Sequence, residues 1–268
     1  KFKALLKYIF EIAKVVLFSV VLMAVAEPAH AQKIPLIRDA EIENTIRQFA
    51  APVLRAAKLN EKAVKIHLVL DDSLNAFVAG GQRLFINTGL ITQAAGAGQI
   101  IGVIAHETGH ISGGHLARIH DALKKSTATA IISMLLGVTA IVAGRGDVGS
   151  VIIATGQGIS SSNFLKYSRT QESAADHAAL KFLDDTSQSA KGLLGFMELL
   201  GEQELLVTAR QDPYVRTHPL TRNRVAAIAN HVANSPYSDK AVPQKLEALF
   251  RRAKAKIIGY FMPLGHPL

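Results

Sequence analysis

The sequence predicts an α+β fold, with a small β-sheet followed by a mostly helical body. Residues with strand-like alternation cluster between positions 65 and 87, whereas from Gly96 onward apolar residues recur at helical spacing. Strands and helices are segregated rather than alternating, which argues against a doubly wound parallel sheet. A length of 268 residues suits one domain with short appendages. A hydrophobic content of 49% is too high for a disordered chain. The absence of cysteine excludes a disulfide scaffold, a thiol nucleophile and a thiolate metal site, so metal chemistry must use His and carboxylates.

Residues 1–31 read as an export signal. Lys1, Lys3, Lys7 and Lys14 precede an apolar run from Val15 to Ala26, and small residues stand at Ala29 and Ala31. The uncharged run is short against the roughly 20 residues needed to span a bilayer. The expectation is cleavage after Ala31 and a periplasmic protein.

Helical spacing of Ile42, Ile46, Phe49, Val53 and Leu54 predicts a helix over 39–57. Lys65–Leu70 reads as a strand ending at Asp71-Asp72. Asn75–Ala79 and Arg83–Asn87 flank Gly80-Gly81 as a hairpin. Residues 32–238 are expected to form the main domain, and 239–268 a C-terminal helix or linker that would lead to a missing repeat domain. Within the main domain, Ser126–Gly144 carries no charge, and neither does Val148–Leu165, although the second stretch is broken by Gly156, Gln157, Gly158 and Ser160–Ser162. A single crossing is topologically excluded. The expectation for 126–165 is an apolar helical hairpin that covers the active site or dips shallowly into a bilayer.

The formal net charge is +9, of which residues 1–31 contribute +2. The remainder is scattered except for Arg251, Arg252, Lys254 and Lys256. Nucleic-acid grooves need clustered charge, usually with aromatics to stack on, so no nucleic-acid partner is expected. The surface is compatible with contact to anionic headgroups.

Ile100–His110 is an apolar helix ending in His106-Glu107-x-x-His110. His106 and His110, four apart, project from one helix face and can reach one Zn²⁺. Glu107, at the edge of that face, can take a proton from water without ligating the ion. His115 is offset by one residue from the place where a third His would extend the motif, which Leu116 occupies. On a continuing helix that offset turns it about 100° away, so it is expected to support the site or the structure. Glu172 and Asp176 share a helical face among small alanines. Glu172 is suited to complete a His₂Glu site with an open fourth position, and Asp176 to hydrogen-bond a ligand imidazole.

His106-Glu107-x-x-His110-x₄-His115, Ser168-Arg169-x-x-Glu172-x-x-Ala175-Asp176 and Thr217-His218-Pro219 with Arg222 together resemble the HtpX and CAAX-prenyl-protease family of gluzincin zinc metallopeptidases. Asn75-Ala76-Phe77 resembles that family's edge-strand segment upstream of the metal helix. The signal sequence makes the chain most similar to the BepA/YfgC-like periplasmic subgroup. The resemblance implies a mostly helical zincin-type domain, one Zn²⁺ held by His106, His110 and Glu172, and Glu107 as general base. The strand at Asn75–Ala79, with Asn75, Ala76 and Phe77, or the strand at Leu84–Asn87 would bind an extended substrate by strand addition. It further implies action on unfolded or misassembled outer-membrane protein precursors alongside their assembly machinery. His218 would fill the fourth metal position at rest, with Arg222 or Arg224 stabilising the oxyanion once it moves. Two other readings stand beside this one: a chaperone-like binding protein with a silent site, and a membrane-integrated protease acting on bilayer proteins.

Overall fold

The computed structural model describes residues 35–142, 144–204 and 218–261. The signal segment 1–31 with its cleavage point after Ala31, and Thr217, lie outside the described residues. The elements run β1 (Leu36–Ile37), α1 (Ala40–Ala56), β2 (Lys65–Val69), β3 (Ala76–Ala79), β4 (Arg83–Asn87), α2 (Thr88–Gln93), α3 (Ala97–Ser112), α4 (His115–Val142), α5 (Gly146–Asp185), α6 (Lys191–Glu204), α7 (Arg222–Asn234) and α8 (Gln244–Phe261). The arrangement is α+β, mostly helical with one small sheet.

The sheet order is β1-β2-β4-β3. β3 and β4 form the expected hairpin, turning through Gly80 and Gly81 at φ of 55° and 94°, a region that favours glycine. β4 also pairs with β2, and this pairing is parallel, with Leu68 opposite Ile86. β4 is therefore interior. The edge is β3, whose outer side meets no further strand among the described residues. Phe77 stacks on Phe85, and Phe85 on His67, at centroid distances of 4.8 and 4.9 Å, which gives one face of the sheet a continuous ring surface.

α1 begins at Asp39, whose carboxylate accepts hydrogen bonds from the Glu41 and Ile42 amides at 3.1 and 3.0 Å. Its apolar stripe of Ile42, Ile46, Phe49 and Val53 is buried in the core shared by the sheet, α3, α6 and α8. α8 belongs to this core rather than to a linker. Phe250, Ala253 and Ile257 are buried, Lys256 bridges Asp39 and Glu41, and Glu247 accepts from the amide of Ala97 at 3.3 Å. The compact domain thus extends past residue 238 to Phe261, because the apolar face of α8 has no other place to be buried.

α3 is the central helix, buried on every side from Ile100 to Gly109. It runs close against α5 at Gly109, where a Cβ would sit 2.7 Å from the carbonyl oxygen of Ala175. The chain then breaks at Gly113-Gly114, with Gly114 at φ 62°, before α4 starts at His115. α4 and α5 form the long hairpin expected from their uncharged stretches. None of the described residues of 126–165 is among the lining residues of the cleft described below.

Gly109→Ala is expected to lower unfolding stability by about 1–3 kcal/mol, since the added methyl must push α3 from the backbone of α5. Chemical denaturation monitored by circular dichroism measures this, and an unchanged midpoint would show that the two helices can part without cost.

Candidate metal centre

The burial of α3 carries His106 and Glu107 into the interior, at 0% and 1% exposure, while His110 opens onto a cleft of about 920 Å³. The cleft is walled by β3 and its turn (Asn75, Phe77, Gly80) on one side and by Tyr167 and Gln171 of α5 on another. The close approach at Gly109 brings Glu172 and Asp176 of α5 to the two histidines. The loop before α7 brings His218 to the same point.

His106 Nε2 lies 3.1 Å from His110 Nε2 and 3.3 Å from Glu172 Oε2. His110 Nε2 lies 3.4 Å from Glu172 Oε1. His218 Nδ1 stands 3.4 Å from His106 Nε2 and 3.1 Å from Glu172 Oε2. One donor atom from each of His106, His110, Glu172 and His218 can be drawn together within 4.8 Å. Ligands about 2.0–2.1 Å from a tetrahedral ion stand about 3.3 Å from one another, so these separations are the edges of such a polyhedron. The residues therefore fit a bound metal ion, with nitrogen and carboxylate donors of the kind zinc takes.

The partners of the outer nitrogens fix the tautomers that this arrangement needs. His106 Nδ1 is 2.9 Å from Asp176 Oδ1, and a carboxylate there requires an Nδ1–H, leaving the Nε2 lone pair to point at the centre. His110 Nδ1 is 2.9 Å from His115 Nδ1, and with the proton on His110 its Nε2 is likewise directed inward. His115 reaches this position because the helix does not continue. The turn at Gly113-Gly114 swings it back over His110, so an argument from a continuing helix misplaces it.

Asp176 is clamped in turn by Arg224, whose Nε and Nη2 donate to its two oxygens at 2.6 and 2.9 Å. The same guanidinium lies 3.2 Å from Glu172 and donates to the carbonyl of Pro219 at 2.9 Å. The arginine beside the centre is thus Arg224, and its donors face carboxylates and the loop backbone. Arg222, two residues earlier, is exposed on the opposite face of α7. Arg222 and Arg224 are equal candidates by sequence position; Thr221 sets the phase of the helix by capping Arg224's amide.

Electrostatics follow from this burial and pairing. Burial favours the neutral form of Asp176, but Arg224 and His106 outweigh it and hold the carboxyl at about 2. Burial likewise acts to raise Glu172, and His218 and His106 together bring it well below the usual carboxylate range. Burial opposes charge on His106, yet the carboxylates of Asp176 and Glu172 carry it up to about 10. Burial, reinforced by the neighbouring His106, pushes His110 down to about 2. Glu107 Oε1 lies 3.7 Å from His218 Nε2 and lines the cleft without being one of the four clustered donors.

Three buried polar atoms on the cleft walls have no hydrogen-bond partner among the described residues: Asn75 Oδ1, Tyr167 Oη and Gln171 Oε1. Tyr167 and Gln171 are four apart on α5, one face of which they share. Sequence reasoning missed both. The only signal was that Tyr167 begins the segment leading to Glu172.

The model of Peptidase family M48 matches residues 37–232. The chain is 26% identical over 231 residues to the beta-barrel assembly-enhancing protease of Escherichia coli K12, which covers 85% of this chain and 45% of that protein. It is 27% identical over 177 residues to the metalloprotease YcaL of the same organism, covering 66% of this chain and 65% of that one. It is 24% identical over 179 residues to the mitochondrial metalloendopeptidase OMA1 of Schizosaccharomyces pombe, covering 66% and 49%. The chain spans less than half the length of the beta-barrel assembly-enhancing relatives it matches. With the family model running from β1 into α7, through every residue of the metal centre, the chain belongs to Peptidase family M48.

Proposed function

We propose that this chain is a zinc-dependent endopeptidase that cuts extended, unfolded polypeptide, and that its substrates are outer-membrane protein precursors in the periplasm. The observation that carries the peptidase reading is the convergence of His106, His110, Glu172 and His218 beside Glu107 in a cleft bordered by an edge strand. The substrate and compartment rest on the beta-barrel assembly-enhancing relatives and on the signal-like residues 1–31. Among the described residues no helix is long and apolar enough to cross a membrane, which disfavours a membrane-integrated enzyme.

His106, His110 and Glu172 would hold the zinc, which when bound would polarise the scissile carbonyl and acidify water. The chain's own residues do the rest. Glu107 accepts the proton of the attacking water and passes it to the leaving amine nitrogen. Asp176 and His115 hold the ligand imidazoles in their Nδ1–H forms, and Arg224 holds Asp176. β3 receives an extended substrate as an added strand, so that recognition is by backbone more than by sequence. Asn75, Tyr167 and Gln171 offer their unpaired atoms to that backbone. At rest His218 would serve as a further donor to a bound ion and keep the peptidase latent, and Arg224's hold on the carbonyl of Pro219 would set how readily that loop leaves.

Glu107→Gln should retain zinc by metal analysis while casein hydrolysis falls by at least about 100-fold; comparable activity in the variant would remove Glu107 from the mechanism. Glu172→Ala should lose zinc, whereas His115→Ala should largely keep it, and the opposite ranking would make His115 the ligand. His218→Ala should raise casein hydrolysis severalfold with zinc still bound. Unchanged hydrolysis would leave His218 an ordinary loop residue.

A further inference from the structure

Among the described residues, most of the exposed large apolar side chains sit on one feature, the α4–α5 hairpin. They crowd the outward face of α4, where Ile131, Ile132, Met134, Leu135, Leu136 and Ile141 follow one another, Ile132 at 57% and Leu135 at 64% exposure. Single exposed apolar residues need no explanation, but a contiguous face of this size marks a contact surface.

The packing of the hairpin says what kind of contact. Within 126–165 the buried described residues are Gly137, Gly149, Gly156 and Ser160. A Cβ on Gly137 or Gly149 would run into the other's carbonyl oxygen, and one on Gly156 into Ser133. Ser126 and Ser160 each donate to the other's carbonyl, at 2.9 and 2.7 Å. The helices are thus joined by small residues and interhelical hydroxyl bonds while their Ile, Leu and Met point outward. That is the reverse of a water-soluble pair and the pattern of helices packed in lipid. The exposed hydroxyls of Thr129 and Thr139 are returned to their own helix, bonding Lys125 and Leu135 carbonyls at 3.0 and 2.7 Å, as a medium without water requires.

The hairpin also has a polar side. α5 adds Val151, Ile159 and Leu165 to the exposed apolar residues, but its Gln157 and Ser161, four apart and exposed, form a polar stripe. At the hairpin's base stand exposed Lys124 and Lys125 on α4 and Lys166 and Arg169 on α5, against the acidic Asp121; the tip carries Arg145 and Asp147. An apolar face rimmed by lysines fits an anionic bilayer better than a second copy of the same basic hairpin.

We propose that the outward face of α4 from Ile131 to Ile141 lies in the headgroup–acyl interface of an anionic lipid bilayer, with the Gln157–Ser161 side of α5 facing water, so that the cleft at the base of the hairpin is held beside the membrane surface. The chain contains no cysteine, so single labels are unambiguous. An environment-sensitive fluorophore on Leu135→Cys should shift to the blue and brighten when phosphatidylcholine–phosphatidylglycerol vesicles are added to the full chain, whereas one on Gln157→Cys should change little. Combining Lys124→Glu with Lys125→Glu should raise the vesicle concentration needed for half the change at position 135 by about 10-fold or more. The proposal is overturned if the probe at 135 does not respond to vesicles, even where the chain binds them through residues 1–34. It is equally overturned if position 157 responds as strongly as 135, or if 135 responds to rising protein concentration without lipid, which would make a second copy the occupant.

Discussion

Everything at the metal centre depends on how closely α3 and α5 can approach. The two histidines are fixed on α3 and the two carboxylates on α5, and neither pair has a long side chain to make up for distance. Only because Gly109 lets the backbone of Ala175 in does Glu172 reach both imidazoles while Asp176, one turn on, reaches the far side of His106. The alanines around Glu172 serve the same end. Close packing here sets ligand separations that differ by only a few tenths of an ångström.

That proximity concentrates charge in a dry place. Three carboxylates and a guanidinium are buried within a few ångströms of three imidazoles, an arrangement whose desolvation cost is offset only when every member is paired. Arg224 performs the pairing for Asp176 and leans on Glu172, and its third contact ties the loop bearing His218 to the same knot. The His218 imidazole, which stands beside His106 and Glu172, and the arginine that pairs with Asp176 are therefore mechanically linked through six residues of chain.

Much of this was legible in the sequence. The spacing of His106, Glu107 and His110 fixes a shared helix face by geometry alone, and the strand boundaries at 65–69, 76–79 and 83–87 follow from alternation and the Gly80-Gly81 turn. What was not legible depended on contacts between distant segments. Which strand of the hairpin is the edge is decided by β2 pairing in parallel with β4, and no local pattern encodes that. The membership of α8 in the core is set by an apolar face meeting α1, a contact between distant segments that the expected boundary at residue 238 leaves out. The choice between Arg222 and Arg224 turned on where α7 begins, because two residues are about 200° of helix rotation. The position of His115 turned on a helix break that two adjacent glycines permit but do not compel.

The donors that converge on the metal site are spread along the chain, with His106 and His218 separated by 112 positions and Arg224 lying beyond both. A polypeptide emerging from its N-terminus presents His106-Glu107-x-x-His110 long before the helix that supplies its carboxylates, and longer still before the arginine that orients them. Contacts of such sequence separation form late. The unfinished chain thus holds half of the clustered donors, and the set is complete only when nearly the whole domain has closed. On the proposed reading, the order of synthesis alone keeps a nascent chain from carrying a complete site.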